Sequence, residues 1–349
     1  MSSGVGLIGC GRIAKRHAHV LGEIEGLHLQ AVCDIIPERA WELKRQYNVP
    51  WLYDSMSDMS EVIQYSSIDI LSVLTPSGLH AQHVIELAHY GIPIVVEKPM
   101  ALTLEDADAM IEACEEYNTP LFVVKQNRFN LPIVLLREAI ESGALGELIS
   151  ATVCVRWCRH MDYYLDWHGT WEMAGGVLAN QASHHIDILQ WMMGEPESVF
   201  GYATTTQDIE VENLLMGVVH FKNGALGSIE VTTATRPRDT EGSITILGER
   251  GMVKVGGFAC NRLDVWQFEG ENSIADYGTY TENPPDVYGF GHKAYYEHVL
   301  RCLDGKAEPL VSGAEARKGL ALTIALYQSV EDGREVHMSD PLHSWRLGR

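Results

Sequence analysis

A two-domain α/β architecture is predicted: a doubly wound parallel sheet, then an α+β domain with a mostly antiparallel open sheet. Three observations predict it. Residues 1–124 alternate short apolar runs with helical periodicity across short turns, the pattern of parallel β-α-β units. From Gly146 onward, strand-like runs follow closely, separated by turn pairs such as Asn223-Gly224 and Arg250-Gly251, as antiparallel pairing requires. The 349 residues are long for one core and natural for two, placed at 1–124 and 125–349.

The first domain opens on Val5-Gly6-Leu7-Ile8, a short buried strand, followed by Gly9-Cys10-Gly11-Arg12-Ile13-Ala14. A helical pattern continues through His17, Val20, Leu21 and Ile24. This G-x-G-x-x-A run reads as a dinucleotide fingerprint. Gly9 makes the tight turn, Gly11 lets backbone approach a pyrophosphate, and Ala14 allows close helix–strand packing. The pyrophosphate is expected at the helix N-terminus, where free N–H groups and the helix dipole favour negative charge. Leu27–Cys33 is a second strand ending at Asp34, twenty residues after Ala14. Asp34 is placed to accept hydrogen bonds from the adenosine ribose hydroxyls. Its charge would repel a 2′-phosphate, and Ile35-Ile36 offers no neighbouring cation, so NAD is favoured over NADP; Arg39 is the residue able to reverse this.

The alternation continues with a helix at Pro37–Tyr47, begun by proline, and a strand at Asp69–Leu74. The turn Thr75-Pro76-Ser77-Gly78 leads into the helix His80–Tyr90, ended by Gly91. Ile94-Val95-Val96 is the next strand, Thr103-Leu104-Glu105-Asp106 resembles a capping box for Leu104–Tyr117, and Leu121–Val124 is a further strand. Ligands bind such sheets at the carboxyl ends of strands, so Gly9–Ala14, Thr75-Pro76 and Glu97-Lys98-Pro99 are the ends to watch. Lys98 follows an apolar strand and precedes proline, which biases its backbone away from helix. A lysine held beside a nicotinamide can orient a substrate hydroxyl, or share its proton if desolvation lowers its pKa.

In the second domain, strands are expected within Gly146–Arg159, Val218–Phe221, Leu226–Thr233, Ser243–Leu247 and Met252–Val255, and closing helices over His292–Leu303 and Gly313–Val330. Its densest polar stretch is Gly175–Asp187, with a glycine pair, two amides, two histidines and a carboxylate. As the start of a helix, it puts Asn180 and His184 four residues apart on one face. Ile186, Leu189 and Met193 then form a buried stripe, and Gly194 stands where a helix stops.

Taken in this order, the glycine fingerprint, Thr75-Pro76, Glu97-Lys98-Pro99 and the His184 segment make the chain resemble the Gfo/Idh/MocA sugar oxidoreductases over essentially its whole length. The resemblance implies a Rossmann NAD-binding domain followed by a substrate-binding and oligomerisation domain. The family's catalytic lysine carries over to Lys98. Its second-domain motif usually reads GG-x-x-x-D-x-G-x-H; here the last two key positions are Asn180 and His184, so the histidine matches and the aspartate is replaced by an amide. Implied cofactor contacts are Gly9, Gly11, Arg12, Ile13, Asp34, Thr75, Pro76, His80, Glu97, Lys98 and Gln126. Implied substrate contacts are Lys98, Asn127, Arg159, Tyr163, Trp171, Asn180, Gln181 and His184. Lys125-Gln126-Asn127-Arg128, Val155–Arg159, His168-Gly169-Thr170-Trp171 and Tyr288-Gly289-Phe290-Gly291-His292 resemble the WlbA-type branch. Enzymes of that branch oxidise the C3 hydroxyl of UDP-N-acetylglucosaminuronic acid with NAD, for surface polysaccharide synthesis.

The expected reaction passes hydride from sugar C3 to the nicotinamide. His184 takes the hydroxyl proton, Lys98 polarises the oxygen, and Asn180 orients without titrating. A nucleotide-sugar uronate is anionic, so Lys125, Arg128, Arg156, Arg159, Arg236 and Arg238 are candidate anion-holding cations. Gln126, Asn127 and Gln181 are candidate orienting amides; Tyr163 is preferred over Trp157, Tyr164 and Trp171 as a pocket aromatic. The His160, His168, His184, His185 and Asp187 cluster lacks a metal-site framework, so no metal is expected. The alternatives are a cyclitol or free-sugar dehydrogenase of the same family, and a non-catalytic NAD-sensing regulator.

A formal net charge of −21 argues against bulk attraction to nucleic acid or anionic membrane. No stretch reaches bilayer length, and Met1-Ser2-Ser3-Gly4 runs directly into a strand, leaving no room for a signal peptide. Seven scattered cysteines without a CxxC pair suggest reduced thiols in a cytoplasm. A strand-rich face in the second domain suggests a homo-oligomer, dimer or tetramer.

Overall fold

The computed structural model describes residues 2–56, 58, 63, 68–270, 284 and 286–349. Two compact units emerge: Met1–Ala101 with Glu105–Val124 and His292–Arg317, and Leu102–Leu104 with Lys125–Gly291 and Lys318–Arg349. The division differs from two consecutive blocks at 1–124 and 125–349, because His292–Arg317 returns to the first unit. Polar contacts fix that return. The Tyr296 hydroxyl bonds His17 Nδ1 at 2.7 Å and Ser72 Oγ at 2.9 Å, and Val123 N–H donates to the Val311 carbonyl at 3.2 Å. Arg317 pairs with Asp108 through both nitrogens.

The first unit holds strands β1 Ser3–Ile8, β2 Leu27–Cys33, β3 Trp51–Tyr53, β4 Ile70–Val73, β5 Ile94–Val96 and β6 Leu121–Val123. They form one sheet in the order β3-β2-β1-β4-β5-β6, parallel throughout. The order reverses direction at β1/β4, where doubly wound sheets place their ligands. β5 is buried at every residue, as expected of a parallel strand covered on both faces. β3 was not anticipated from sequence: it is three residues long and half-exposed, with no apolar run to mark it.

In the second unit, β7 Leu148–Arg156, β8 Pro196–Thr204, β9 Leu214–Phe221, β10 Leu226–Thr232, β11 Glu241–Gly248, β12 Gly251–Gly256, β13 Arg262–Phe268 and β14 Val336–His337 form an eight-stranded sheet. The order is β13-β12-β11-β7-β10-β9-β8-β14. Every pair is antiparallel except β7 with β10. One face is buried: Gly227, Ile229 and Val231 point inward from β10 while Leu226 and Ser228 point out. The helix Ser183–Met193 packs on β7 and β11. On the outward face, Tyr202 is 72% exposed, Met216 53% and Val218 54%. Among the described residues no helix is long and apolar enough to cross a membrane.

Candidate active site

In the first unit, the glycine fingerprint folds as its spacing requires. Gly9 has φ +94°, and a Cβ there would lie 2.7 Å from the Leu74 backbone, so only glycine passes between β1 and β4. Gly11 caps the helix Arg12–Leu21 without a side-chain hydrogen bond, and a Cβ on it would meet open space. The start of the helix therefore has room beside Gly11, and a helix N-terminus with such room suits a pyrophosphate. Asp34 is buried; its carboxylate accepts Cys10 N–H at 2.7 Å and Ile36 N–H at 2.8 Å. Each oxygen retains a lone pair for a ribose hydroxyl, and the adjoining Ile35 is 85% exposed. Arg12 and Arg39 are exposed.

The Lys98 turn is braced from below. Lys98 is half-buried, and its N–H donates to Glu97 Oε2 at 2.9 Å. Glu97 Oε1 meets His17 Nε2 at 3.0 Å and lies 4.0 Å from His292 Nε2. Burial opposes ionisation of Glu97, but the His17 hydrogen bond and the charges of His17, Lys98 and His292 outweigh it, bringing its carboxyl to about 2. Burial lowers His292 to about 3. His17, Glu97 and His292 are close enough to share a metal ion, although the direct His17–Glu97 bond turns two of the ligand atoms onto each other. His80 is part of the same scaffold. Its Nδ1 bonds the Pro99 carbonyl and its Nε2 the Thr75 carbonyl, both at 2.8 Å. The ring therefore ties the Thr75-Pro76 turn to the Lys98-Pro99 turn, and burial lowers its pKa.

In the second unit, Gly175–Asp187 departs from the single helix anticipated. Val177–Gln181 is a π-helical turn, and the α-helix begins only at Ser183, after Ala182 at φ −88°, ψ 0°. The Ala182 N–H donates five residues back, to the Val177 carbonyl, at 2.8 Å. Asn180 and His184 thus belong to two elements rather than to one face, as π-turns at functional sites often arrange. Ile186, Leu189 and Met193 are buried as expected, but so is every other residue of Ser183–Met193 except Trp191.

His184 Nε2 lies 3.0 Å from Gln126 Nε2, so Gln126, expected at the cofactor, here engages the histidine. Gln126 Oε1 and Asn127 Oδ1 are buried without a hydrogen-bond partner among the described residues. Buried amide oxygens usually have partners, so this pair is suited to receiving a ligand. Gln181 donates to the Tyr163 hydroxyl at 2.6 Å and to Asn180 Oδ1 at 3.3 Å. Tyr163 packs against His168 at 4.6 Å, and burial raises its pKa. Asn180, Gln181 and Tyr163 therefore form one polar chain.

Other expected contacts are already engaged. Trp171 is buried, gives its indole N–H to the Glu210 carbonyl at 3.2 Å and packs on Tyr327. Arg128 makes a bidentate pair with Asp187 at 2.7 and 2.9 Å, with Lys125 3.7 Å from the same carboxylate. Arg156 lies between Glu230 and Glu241, and Arg159 bonds Asp239 at 3.0 Å. Arg236 is exposed and held by the Thr233, Thr235 and Arg159 carbonyls. Those carbonyls leave its charge uncancelled, so Arg236, with the exposed Arg238, is better placed to meet an anion than Arg128, Arg156 or Arg159. Burial also takes His185 down to about 4, where it packs against Trp157.

Residues 3–125 match the oxidoreductase family's NAD-binding Rossmann fold, and residues 137–338 match its C-terminal alpha/beta domain. The solved WlbA dehydrogenase from Bordetella pertussis, in complex with NADH and UDP-GlcNAcA, is 40% identical, covering 97% of this chain and 99% of its own, with TM-score 0.86. The WlbA dehydrogenase from Chromobacterium violaceum, with the same ligands, is 39% identical over 96% of each chain, with TM-score 0.88. Myo-inositol 2-dehydrogenase from Thermotoga maritima is 26% identical over 344 residues, 96% of this chain and 98% of its own.

Proposed function

The chain belongs to the Gfo/Idh/MocA oxidoreductase family, as an NAD-dependent sugar or cyclitol dehydrogenase, and from that premise we propose that its substrate is a UDP-N-acetylglucosaminuronic acid-like nucleotide sugar, oxidised at the C3 hydroxyl. The observation that carries this reading is the 40% identity, across both chains, to a dehydrogenase solved with NADH and UDP-GlcNAcA. The cyclitol relative stands at 26%.

NAD, which the Gly9–Ala14 turn and Asp34 would hold, would supply the hydride acceptor for C3. His184 takes the hydroxyl proton, since imidazole is the side chain suited to accepting one near neutrality. The Lys98 ammonium polarises the same oxygen and stabilises negative charge as the proton leaves. Asn180, Gln181 and Tyr163 orient the sugar, and Gln126 holds the His184 ring. Arg236, held by carbonyls rather than by a carboxylate, attracts a substrate anion. An amide at Asn180 adds no negative charge beside an anionic sugar.

Incubation with NAD and UDP-N-acetylglucosaminuronic acid is expected to raise NADH absorbance and yield a 3-keto product. NADH formed only with myo-inositol or free sugars would transfer the assignment to a cyclitol or free-sugar dehydrogenase. A flat trace across both panels would revive the sensing regulator.

The same reading assigns the outward face of the eight-stranded sheet to self-association. Tyr202 faces Met216, and Phe200 faces Val218, across β8 and β9, on a face whose exposed apolar side chains suit burial against a second copy. A Met216→Lys, Val218→Lys variant is expected to sediment as a smaller species than the parent. An unchanged sedimentation coefficient for the pair would remove this face from the assembly.

A further inference from the structure

Gly176, the second of the glycine pair, has a specific cause: a buried carboxylate presses on it. A Cβ on Gly176 would lie 1.7 Å from Glu212 Oε2. Glu212 answers the start of the π-turn with both its backbone and its side chain. Its carbonyl accepts Val177 N–H at 2.9 Å, and its Oε1 accepts Leu178 N–H at 3.1 Å and the Tyr327 hydroxyl at 2.8 Å. The same Tyr327 oxygen accepts Ala179 N–H at 3.1 Å. Three successive amides at a helical start, which otherwise lack partners, are thus satisfied by two residues. The next residues along that turn are Asn180 and Gln181, and His184 follows. Oε2 is buried without a hydrogen-bond partner among the described residues, an arrangement that costs stability.

We propose that Glu212, with Tyr327, is a positioning residue that clamps the Val177–Gln181 turn and so sets Asn180, Gln181 and His184 for substrate. The inference rests on the roles given to those three residues above. The clamp is also sensitive to pH. Burial raises Glu212 to about 7, only partly offset by the bonds from Leu178 and Tyr327 and by the Arg346 charge. Its other titratable neighbours do not change charge in that range: burial raises Tyr327 and Tyr164, and a guanidinium stays charged. The closed turn binds the Glu212 proton more tightly than an opened, hydrated one does. Stability from this group is therefore complete below the ordinary glutamate range and is lost as pH rises through about 7.

Hydrogen–deuterium exchange of peptides covering Val177–Gln181, corrected for intrinsic chemical exchange, is the test. Between pH 6 and pH 8 protection is expected to fall about tenfold in the parent protein and to stay level in Glu212→Gln. Glu212→Ala is expected to lower kcat roughly tenfold to a hundredfold while the NAD Kd moves less than about twofold, with partial recovery in Glu212→Gln. Level protection in the parent, or a folded Glu212→Ala with parental kcat, overturns the proposal. Should Glu212→Ala fail to fold, the parent's pH series still decides. Exchange needs no substrate, so an error in the sugar assignment would leave this result standing and show only in the product assay.

Discussion

Replacing Lys98 by methionine, or His184 by asparagine, is expected to reduce NADH formation by roughly 10²- to 10⁴-fold, the range for loss of a positioned proton-transfer group. NAD binding, followed by fluorescence titration, is expected to change little in either variant. Gly9, Gly11 and Asp34, the proposed nucleotide contacts, lie on the turn and strand ends around β1 and β2, away from both substitutions in sequence. Turnover equal to the parent in one of the two variants would remove that residue from the chemistry. Weakened NAD binding with unchanged kcat would make it a cofactor contact instead.

Asp187→Ala is expected to cost about 3–5 kcal/mol of unfolding free energy, the penalty for removing one partner of a buried ion pair. Asp187 is 1% exposed, and its carboxylate answers two cations that are themselves buried, Arg128 and Lys125. Burial alone would raise the Asp187 carboxyl, and the two cations hold it below its ordinary value instead. The sign follows from that lowering. The stability it contributes is present above the ordinary aspartate range, near 4, and is lost as pH falls through the lower folded value. Guanidinium melts at neutral pH and near pH 3 test both parts: the gap between parent and variant is expected to narrow in acid. A variant as stable as the parent at neutral pH would mean that Arg128 and Lys125 find other partners. Because Lys125 precedes the Gln126–Phe129 turn, Arg128 lies within it and Asp187 lies in the His184 helix, this triad also locks the segment carrying Gln126 to the one carrying His184.

Much of the first unit could be read from local chemistry. Gly9, Gly11, Ala14 and Asp34 fall within one strand-turn-helix-strand unit, and each is explained by a neighbour a few positions away or by the turn it occupies. The parallel order of the sheet followed from the alternation of short apolar runs. Several details escaped, among them three with a local cause. β3 carries no apolar pattern. β8 begins on proline and contains a glycine, which obscured a nine-residue strand. The π-turn at Val177–Gln181 has the same spacing as an ordinary helix start, and only the contacts of Glu212 and Tyr327 distinguish it.

Sequence alone determined which residue types are candidates for the chemistry: a glycine fingerprint with Asp34, a lysine at a strand end, and a histidine in a dense polar segment. These are signals of spacing, and spacing is preserved along the chain. Tertiary structure decided which side chains are available to a ligand and which are already engaged. Arg128 reads as an anion-binding cation until Asp187, 59 positions away, takes both ends of its guanidinium. His17 reads as part of a helical stripe until Tyr296, 279 positions away, and Glu97 make it a brace beneath Lys98. Glu212 carries no motif at all, yet it reaches across 34 positions to the Leu178 amide. A charged or polar group in water is open to any partner, whereas one in a low-dielectric interior must be satisfied by whatever the fold brings beside it, and a linear sequence does not contain that neighbour list.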